Sequence, residues 1–249
     1  MARDANYRPY GQRARLGLIV PPTNTVNEAE WARMIPEGVT VHGMRMPLHS
    51  DTSSVAGRQA LYEDVRHAAG ELAKAGPDVI VYACTAGSMV SPLSMLTDFI
   101  QRETGIPAVA TAPALVHAAH ALGLRRVALA TPYHDALNRH EIEFLAEHGI
   151  EVLGVRGLGI GAGGPHEYVR IARMPKPEVL AHCLAADLPG AEGMIVSCTD
   201  FATLEAIPVL EARLGKPVIS SNLATLWLTL RTAGVADRIA GFGSLLERH

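Results

Sequence analysis

Cys84 and Cys198 are the residues with the clearest potential for chemistry. Each closes a short apolar run that opens on an acid: Asp78-Val-Ile-Val-Tyr-Ala-Cys84-Thr85 and Glu192-Gly-Met-Ile-Val-Ser-Cys198-Thr199 match without a gap at an offset of 114 residues. One isolated cysteine is most simply a small buried apolar residue. Two at equivalent positions of a repeat, each at a strand end with a helix expected to follow, point instead to thiols facing a cleft, where nearby N–H groups favour the reactive thiolate. Such a pair can divide one reaction, one sulfur adding to carbon or delivering a proton while the other completes the step from the opposite face. That chemistry needs no cofactor. A disulfide or a shared metal fits less well, because there is no C-x-x-C and the histidines nearest in sequence are not at ligand spacing. Cys183 lies in an Ala/Leu-rich helical stretch without a repeat partner and reads as structural. Thr85, Ser88 and Thr199 beside the thiols, and Asn24, Thr131, Tyr133 and Asn138 at other strand ends, offer donors for a carboxylate or a developing enolate.

Positioning these groups is the task of an alternating βα chain. Apolar runs at Leu16–Val20, Val39–Met44, Val79–Ala83, Ala108–Thr111, Val127–Ala130, Glu151–Val155, Gly193–Ser197 and Val218–Ser220 read as strands. Most are too uniformly apolar to leave one face in water, which predicts mostly parallel sheets covered by helices. Stretches of helical period fall near Asn27–Met34, Gly57–Ala75, Leu93–Thr104, Ala114–Leu122, Asp135–His148, Pro177–Ala186, Ala202–Leu214 and Leu226–Ala233. Gly76-Pro77, Gly105-Ile106-Pro107 and Gly215-Lys216-Pro217 are helix stops followed by strands. The repeat extends beyond the cysteines: Ile-Pro-Ala-Val-Ala-Thr at 106–111 corresponds to Lys-Pro-Val-Ile-Ser-Ser at 216–221, and each precedes an Ala/Leu-rich helix ending at Gly123 or Gly234. Two half-chains share one plan, expected as one lobe from residues 1–113 plus 223–249 and another from 114–222. Sheets of this kind bind ligands at the carboxyl ends of their strands, where both Cys-Thr pairs fall.

Composition narrows the partners. The 249 residues are 48% hydrophobic and 19% charged, with 22 Lys plus Arg against 25 Asp plus Glu and a net charge of −3. No like-charge block is long enough to follow a phosphate backbone or a membrane surface, so nucleic acid is not an expected partner. The longest apolar runs fall short of the roughly 18–20 residues that cross a bilayer. The first fifteen residues lack an apolar core and read as a solvated arm, so the cytoplasm is the expected location. Three cysteines are too few for a disulfide framework. Gly159-Ile160-Gly161-Ala162-Gly163-Gly164 satisfies G-x-G-x-x-G, yet it follows the second strand of the second half and runs into Pro165; it reads as a flexible cleft lid and not a dinucleotide site. His117, His120, His134, His140 and His148 read as solvated helix faces. Arg125-Arg126 and the arginines of the arm suit solubility or a subunit contact, and Trp31 and Trp227 suit packing.

The sequence resembles the aspartate/glutamate racemase superfamily, in the branch that holds maleate cis-trans isomerases and arylmalonate decarboxylases. The matching pieces are Pro21-Pro22-Thr23-Asn24-Thr25 with Glu28, Tyr82-Ala83-Cys84-Thr85, Ala130-Thr131-Pro132-Tyr133, Ser197-Cys198-Thr199, and 217–227 ending in Trp227. The resemblance implies two α/β lobes related by a pseudo-twofold axis, a cleft active site, no metal or organic cofactor, a small mono- or dicarboxylic acid as substrate, and a homodimer. It implies Cys84 and Cys198 as catalytic thiols, Asn24 and Tyr133 as carboxylate binders, and Thr85 and Thr199 as oxyanion donors. Decarboxylases of the branch keep only the second-half thiol, so both thiols together favour an isomerase, most like maleate isomerase, over a decarboxylase; an amino-acid or 2-substituted-acid racemase would use the same pair. Maleate isomerases carry a further carboxylate-binding Asn where this chain reads Gly159–Pro165. A non-catalytic small-acid binding protein is the alternative outside enzymes.

Overall fold

The computed structural model describes residues 8–49, 51–52, 54–90 and 92–249. Among the described residues, eight strands form two four-stranded parallel sheets. The first contains β1 (Ala14–Val20), β2 (Val39–Arg45), β3 (Val79–Tyr82) and β4 (Ala108–Ala110), in the order β2-β1-β3-β4. The second contains β5 (Arg126–Tyr133), β6 (Glu151–Ile160), β7 (Gly193–Val196) and β8 (Val218–Ser220), in the order β6-β5-β7-β8. The duplication seen in the sequence is therefore a duplication of topology. β3 and β7 are buried along their whole length, as strands covered by helices on both faces must be.

The helices are α1 (Asn27–Met34), α2 (Val55–Ala73), α3 (Thr85–Ser88), α4 (Met95–Thr104), α5 (Thr111–Ala121), α6 (Asp135–Glu147), α7 (Lys176–Leu184), α8 (Ala206–Leu214), α9 (Ser221–Thr232) and α10 (Ser244–Arg248). α4 and α8 both stop on a left-handed glycine, Gly105 at φ 72° and Gly215 at φ 66°, the conformation a side chain disfavours and the stop signal requires. α5 and α9 pack together between the sheets, and Thr225 Oγ1 donates to Thr111 Oγ1 across them at 3.2 Å. Trp31 is fully buried, with its indole N–H on the Asn222 carbonyl at 3.0 Å; Trp227 is buried as well.

Several boundaries differ from the sequence reading. α9 begins at Ser221, five residues before the expected start, because Ser220 Oγ accepts the Leu223 N–H as a cap. α8 begins at Ala206, not Ala202. In the irregular turns before it, the Glu30 carboxylate accepts the N–H groups of Thr203 and Leu204 at 2.7 and 2.8 Å. β6 runs to Ile160, past the expected end at Val155. The expected solvated arm is partly packed: residues 1–7 lie outside the described region, but Arg8 pairs with Asp78 at 2.8 Å and Gly11 is buried. Arg126 is engaged within the chain, by Glu192. No helix among the described residues is long and apolar enough to cross a membrane.

Candidate active site

The carboxyl ends of β1, β3, β5 and β7 open onto one cavity of about 800 Å³. Cys84 and Cys198 both line it, each only 8% exposed. Asn24, Thr85, Tyr133 and Thr199 line it too, so the six residues to which the resemblance gives roles meet in one place. Cys183 is instead fully buried elsewhere, and burial pushes its thiol up to about 12.

The two halves lock together through the site residues themselves. Asn24 Oδ1 accepts the N–H groups of Val26 and Asn27 at 3.0 Å, ordering the entry into α1, while its Nδ2 donates across to Thr199 Oγ1 at 3.0 Å. Thr199 Oγ1 donates onward to the Ala83 carbonyl at 3.1 Å. Ser221, the first residue of α9, bridges Thr85 Oγ1 (2.9 Å) and the Cys198 N–H (3.0 Å). A side chain at the head of α9 thus links both cysteine loops.

The cysteines are not equivalent. Cys84 has ordinary extended backbone and precedes the single turn of α3. Cys198 has φ 97° and precedes irregular turns, so the helix expected after it is absent. A non-glycine residue in this region is strained by roughly 1–2 kcal/mol; the Ser221 bond to its N–H helps to hold it. The Cys84 sulfur faces the N–H groups of Ala86 and Gly87 and the Tyr82 hydroxyl, all of which favour a thiolate, while burial pushes the thiol up. Gly87 is required by close approach, since a Cβ there would lie 2.3 Å from the Tyr82 hydroxyl oxygen. Cys198 is pushed further up by burial and by the Asp200 carboxylate, against the Asp200 N–H and the Tyr133 hydroxyl, which favour ionisation.

Three expected donors do something else. Ser88 Oγ donates to the Cys84 carbonyl at 2.6 Å and accepts the Ala112 N–H at 2.9 Å. Thr131 Oγ1 donates to Asn138 Oδ1 at 2.6 Å, and Asn138 Nδ2 donates to the Tyr133 carbonyl at 3.2 Å. These groups brace the site's walls without lining it. His134 and His140, read as solvated, are half-buried and exposed respectively and also line the cavity, with His140 Nε2 3.1 Å from the Met89 carbonyl. The glycines of the expected lid form a turn pinned by Glu167, which accepts the Gly161 and Gly163 N–H groups. What reaches the cavity is the following 3-10 helix, Pro165–Arg173, through Tyr168 and Ile171.

Two acids escaped the sequence reading. Asp200 lines the cavity, and its Oδ1 accepts the Thr25 N–H at 3.0 Å; burial pushes its carboxyl up to about 6. Glu141 is buried behind the site, accepts from Ser197 Oγ, and leaves Oε2 without a partner. The repeat was the available signal, since Asn138-x-x-Glu141 echoes Asn27-x-x-Glu30. Burial pushes Glu141 up to about 7 from its ordinary 4.5. The folded chain therefore holds a proton that the unfolded chain has released. Its stabilising effect is complete below pH 4.5 and is lost as pH rises through about 7, a change of roughly 3 kcal/mol. Glu141→Gln, which keeps an acceptor for Ser197, is expected to flatten the fall in urea-unfolding free energy between pH 5 and 8; curves parallel to the parent would contradict this.

The arylmalonate decarboxylase family model matches residues 16–246. The chain is 34% identical over 238 residues to the arylmalonate decarboxylase of Bordetella bronchiseptica, covering 93% of this chain and 96% of that one. It is 29% identical over 252 residues to the maleate isomerase of Pseudomonas putida, covering 95% and 98%. A solved cysteine-to-serine mutant of the Nocardia farcinica maleate cis-trans isomerase, with a covalently bound succinylcysteine intermediate, has a TM-score of 0.83 at 25% identity, covering 95% and 99%. With its doubled sheets, its shared cavity and these similarities over nearly its whole length, the chain belongs to the arylmalonate decarboxylase family.

Proposed function

We propose that the protein is a cofactor-independent isomerase of a small carboxylic acid, most like maleate cis-trans isomerase, acting through Cys84 and Cys198. The observation that carries the reading is the meeting of two thiols from duplicated strand ends in one cavity. In the proposed cycle the Cys84 thiolate adds to an alkene carbon, and the π pair moves to the neighbouring carbon and takes the proton of Cys198. Rotation about the new single bond follows. The Cys198 thiolate then removes the proton, the double bond re-forms, and the C–S bond breaks to release Cys84. The succinylcysteine adduct in the Nocardia enzyme supports a covalent sulfur step of this kind. Asn24 and Tyr133 bind carboxylate, and Thr85 and Thr199 donate to the developing enolate, the Thr199 hydroxyl turning its hydrogen from the Ala83 carbonyl to the substrate. The proposed setting is the cytoplasm, where both sulfurs stay reduced, and the proposed assembly is a homodimer.

An arylmalonate-type decarboxylase is the second reading, favoured by the apolar part of the wall, Leu48, Met89, Val90, Met95, Leu137 and Ile171. Purified protein incubated with maleate, with single-enantiomer 2-substituted acids and with aryl malonates separates the readings. Fumarate formation or loss of optical rotation without CO₂ is expected; CO₂ release from an aryl malonate with neither of these would overturn isomerisation.

A further inference from the structure

The repeat that aligns the cysteines also exposes a difference between them. Two residues after Cys84 stands Ala86; two residues after Cys198 stands Asp200. Asp200 is 7% exposed, shares the cavity wall with both sulfurs, and is tied by Oδ1 to the Thr25 N–H in the loop after β1. That tie comes from the opposite half, so the carboxylate cannot swing away from Cys198 without giving up its bond to the Thr25 N–H. We propose that Asp200 is a positioning residue that keeps Cys198 the proton-bearing member of the pair and leaves Cys84 as the sulfur that ionises. The inference rests on the two-thiol reading above.

The physics is the repulsion of like charges where water is scarce: a fixed carboxylate disfavours a thiolate beside it, by about one to three pH units at close range. Cys198 faces other titratable groups as well: the Tyr133 hydroxyl from β5, Cys84 from the other half, and Tyr168 from the 3-10 helix, with Glu141 of α6 behind Tyr133. Tyr133 donates to the sulfur, so it opposes Asp200. Around Cys84 the Ala86 and Gly87 N–H groups and the Tyr82 hydroxyl all donate. Ala86 adds no charge. Burial raises both thiols, and Cys84 receives one N–H donor more than Cys198; to that difference Asp200 adds a negative charge at Cys198 that has no counterpart at Cys84. As pH rises Cys84 loses its proton to solvent first, and Cys198 retains the proton that its proposed role delivers.

The test is the pH dependence of iodoacetamide alkylation at each cysteine, resolved by peptide mass spectrometry, in the parent and in Asp200→Asn, whose Oδ1 can still accept the Thr25 N–H. Cys84 is expected to titrate below Cys198 in the parent. D200N should lower the Cys198 midpoint by about one pH unit or more and leave Cys84 in place. The alkaline limb of turnover should move down with it, kcat changing more than KM. An unmoved Cys198, or an equal shift at both cysteines, would overturn the proposal. Ala86→Asp is the reciprocal variant and decides the matter should D200N not fold: it should raise the Cys84 midpoint, and an unchanged midpoint is contrary evidence. Alkylation is read without turnover, so these outcomes stand apart from the two-thiol reading, which fails instead if Cys84→Ser remains fully active.

Discussion

Replacing either Cys84 or Cys198 by serine is expected to cut turnover by about a thousandfold or more while leaving the affinity for a bound acid within a few fold. A serine hydroxyl fills nearly the same space but neither ionises nor leaves carbon as a thiol does. At 8% exposure, neither sulfur contributes much surface to binding. The double variant should be scarcely worse than either single one, because groups that act in one sequence of steps are not additive. The comparison also separates isomerase from decarboxylase. A decarboxylase relying on the second-half thiol alone would tolerate Cys84→Ser. Steady-state kinetics alongside competitive binding of a non-reacting acid measures both quantities, and retained turnover in Cys84→Ser would refute the pairing.

The second large effect concerns what holds the halves in register. Glu30 of α1 is buried and accepts three donors from the second half and α9: the Thr203 N–H, the Leu204 N–H and Asn222 Nδ2, the last at 2.7 Å. Burial pushes its carboxyl up even against these bonds. Glu30→Ala strands three donors in a buried interior and opens a cavity beside Asn222, which should cost about 3–5 kcal/mol. Glu30→Gln keeps one acceptor oxygen and should cost less. Urea unfolding measures the difference, and a loss below about 1 kcal/mol for Glu30→Ala would show that the strap is not structural. Glu141, its counterpart in the repeat, accepts one side-chain donor and is expected to tolerate alanine better.

The architecture was legible because burial on both faces forces apolar runs such as Val79–Tyr82 and Gly193–Val196, and duplicated topology leaves duplicated spacing. The cysteines were legible for the same reason. Asp200 was not, because nothing in the string Cys-Thr-Asp tells that a carboxylate will be buried against the Thr25 N–H from 175 residues away. Ser88 and Asn138 misled in the opposite sense: their side chains have the chemistry of substrate donors, but local backbone groups take them first. His134 and His140 sit on or beside a helix whose pattern looks solvated, and His140 is exposed as that pattern implies; that both also border a cavity follows only from the packing of the two halves. The irregular turns before α8 were hidden because Glu30, which accepts the Thr203 N–H there, lies 173 positions earlier in the chain.

The most direct measurement is a crystal structure of the protein with maleate, or with whichever acid it turns over, bound in the cavity. Cys84 Sγ and Cys198 Sγ should lie on opposite sides of the acid, each about 3.5 Å from a reacting carbon. An acid seated against only one sulfur, or bound away from both, would contradict a reaction divided between them.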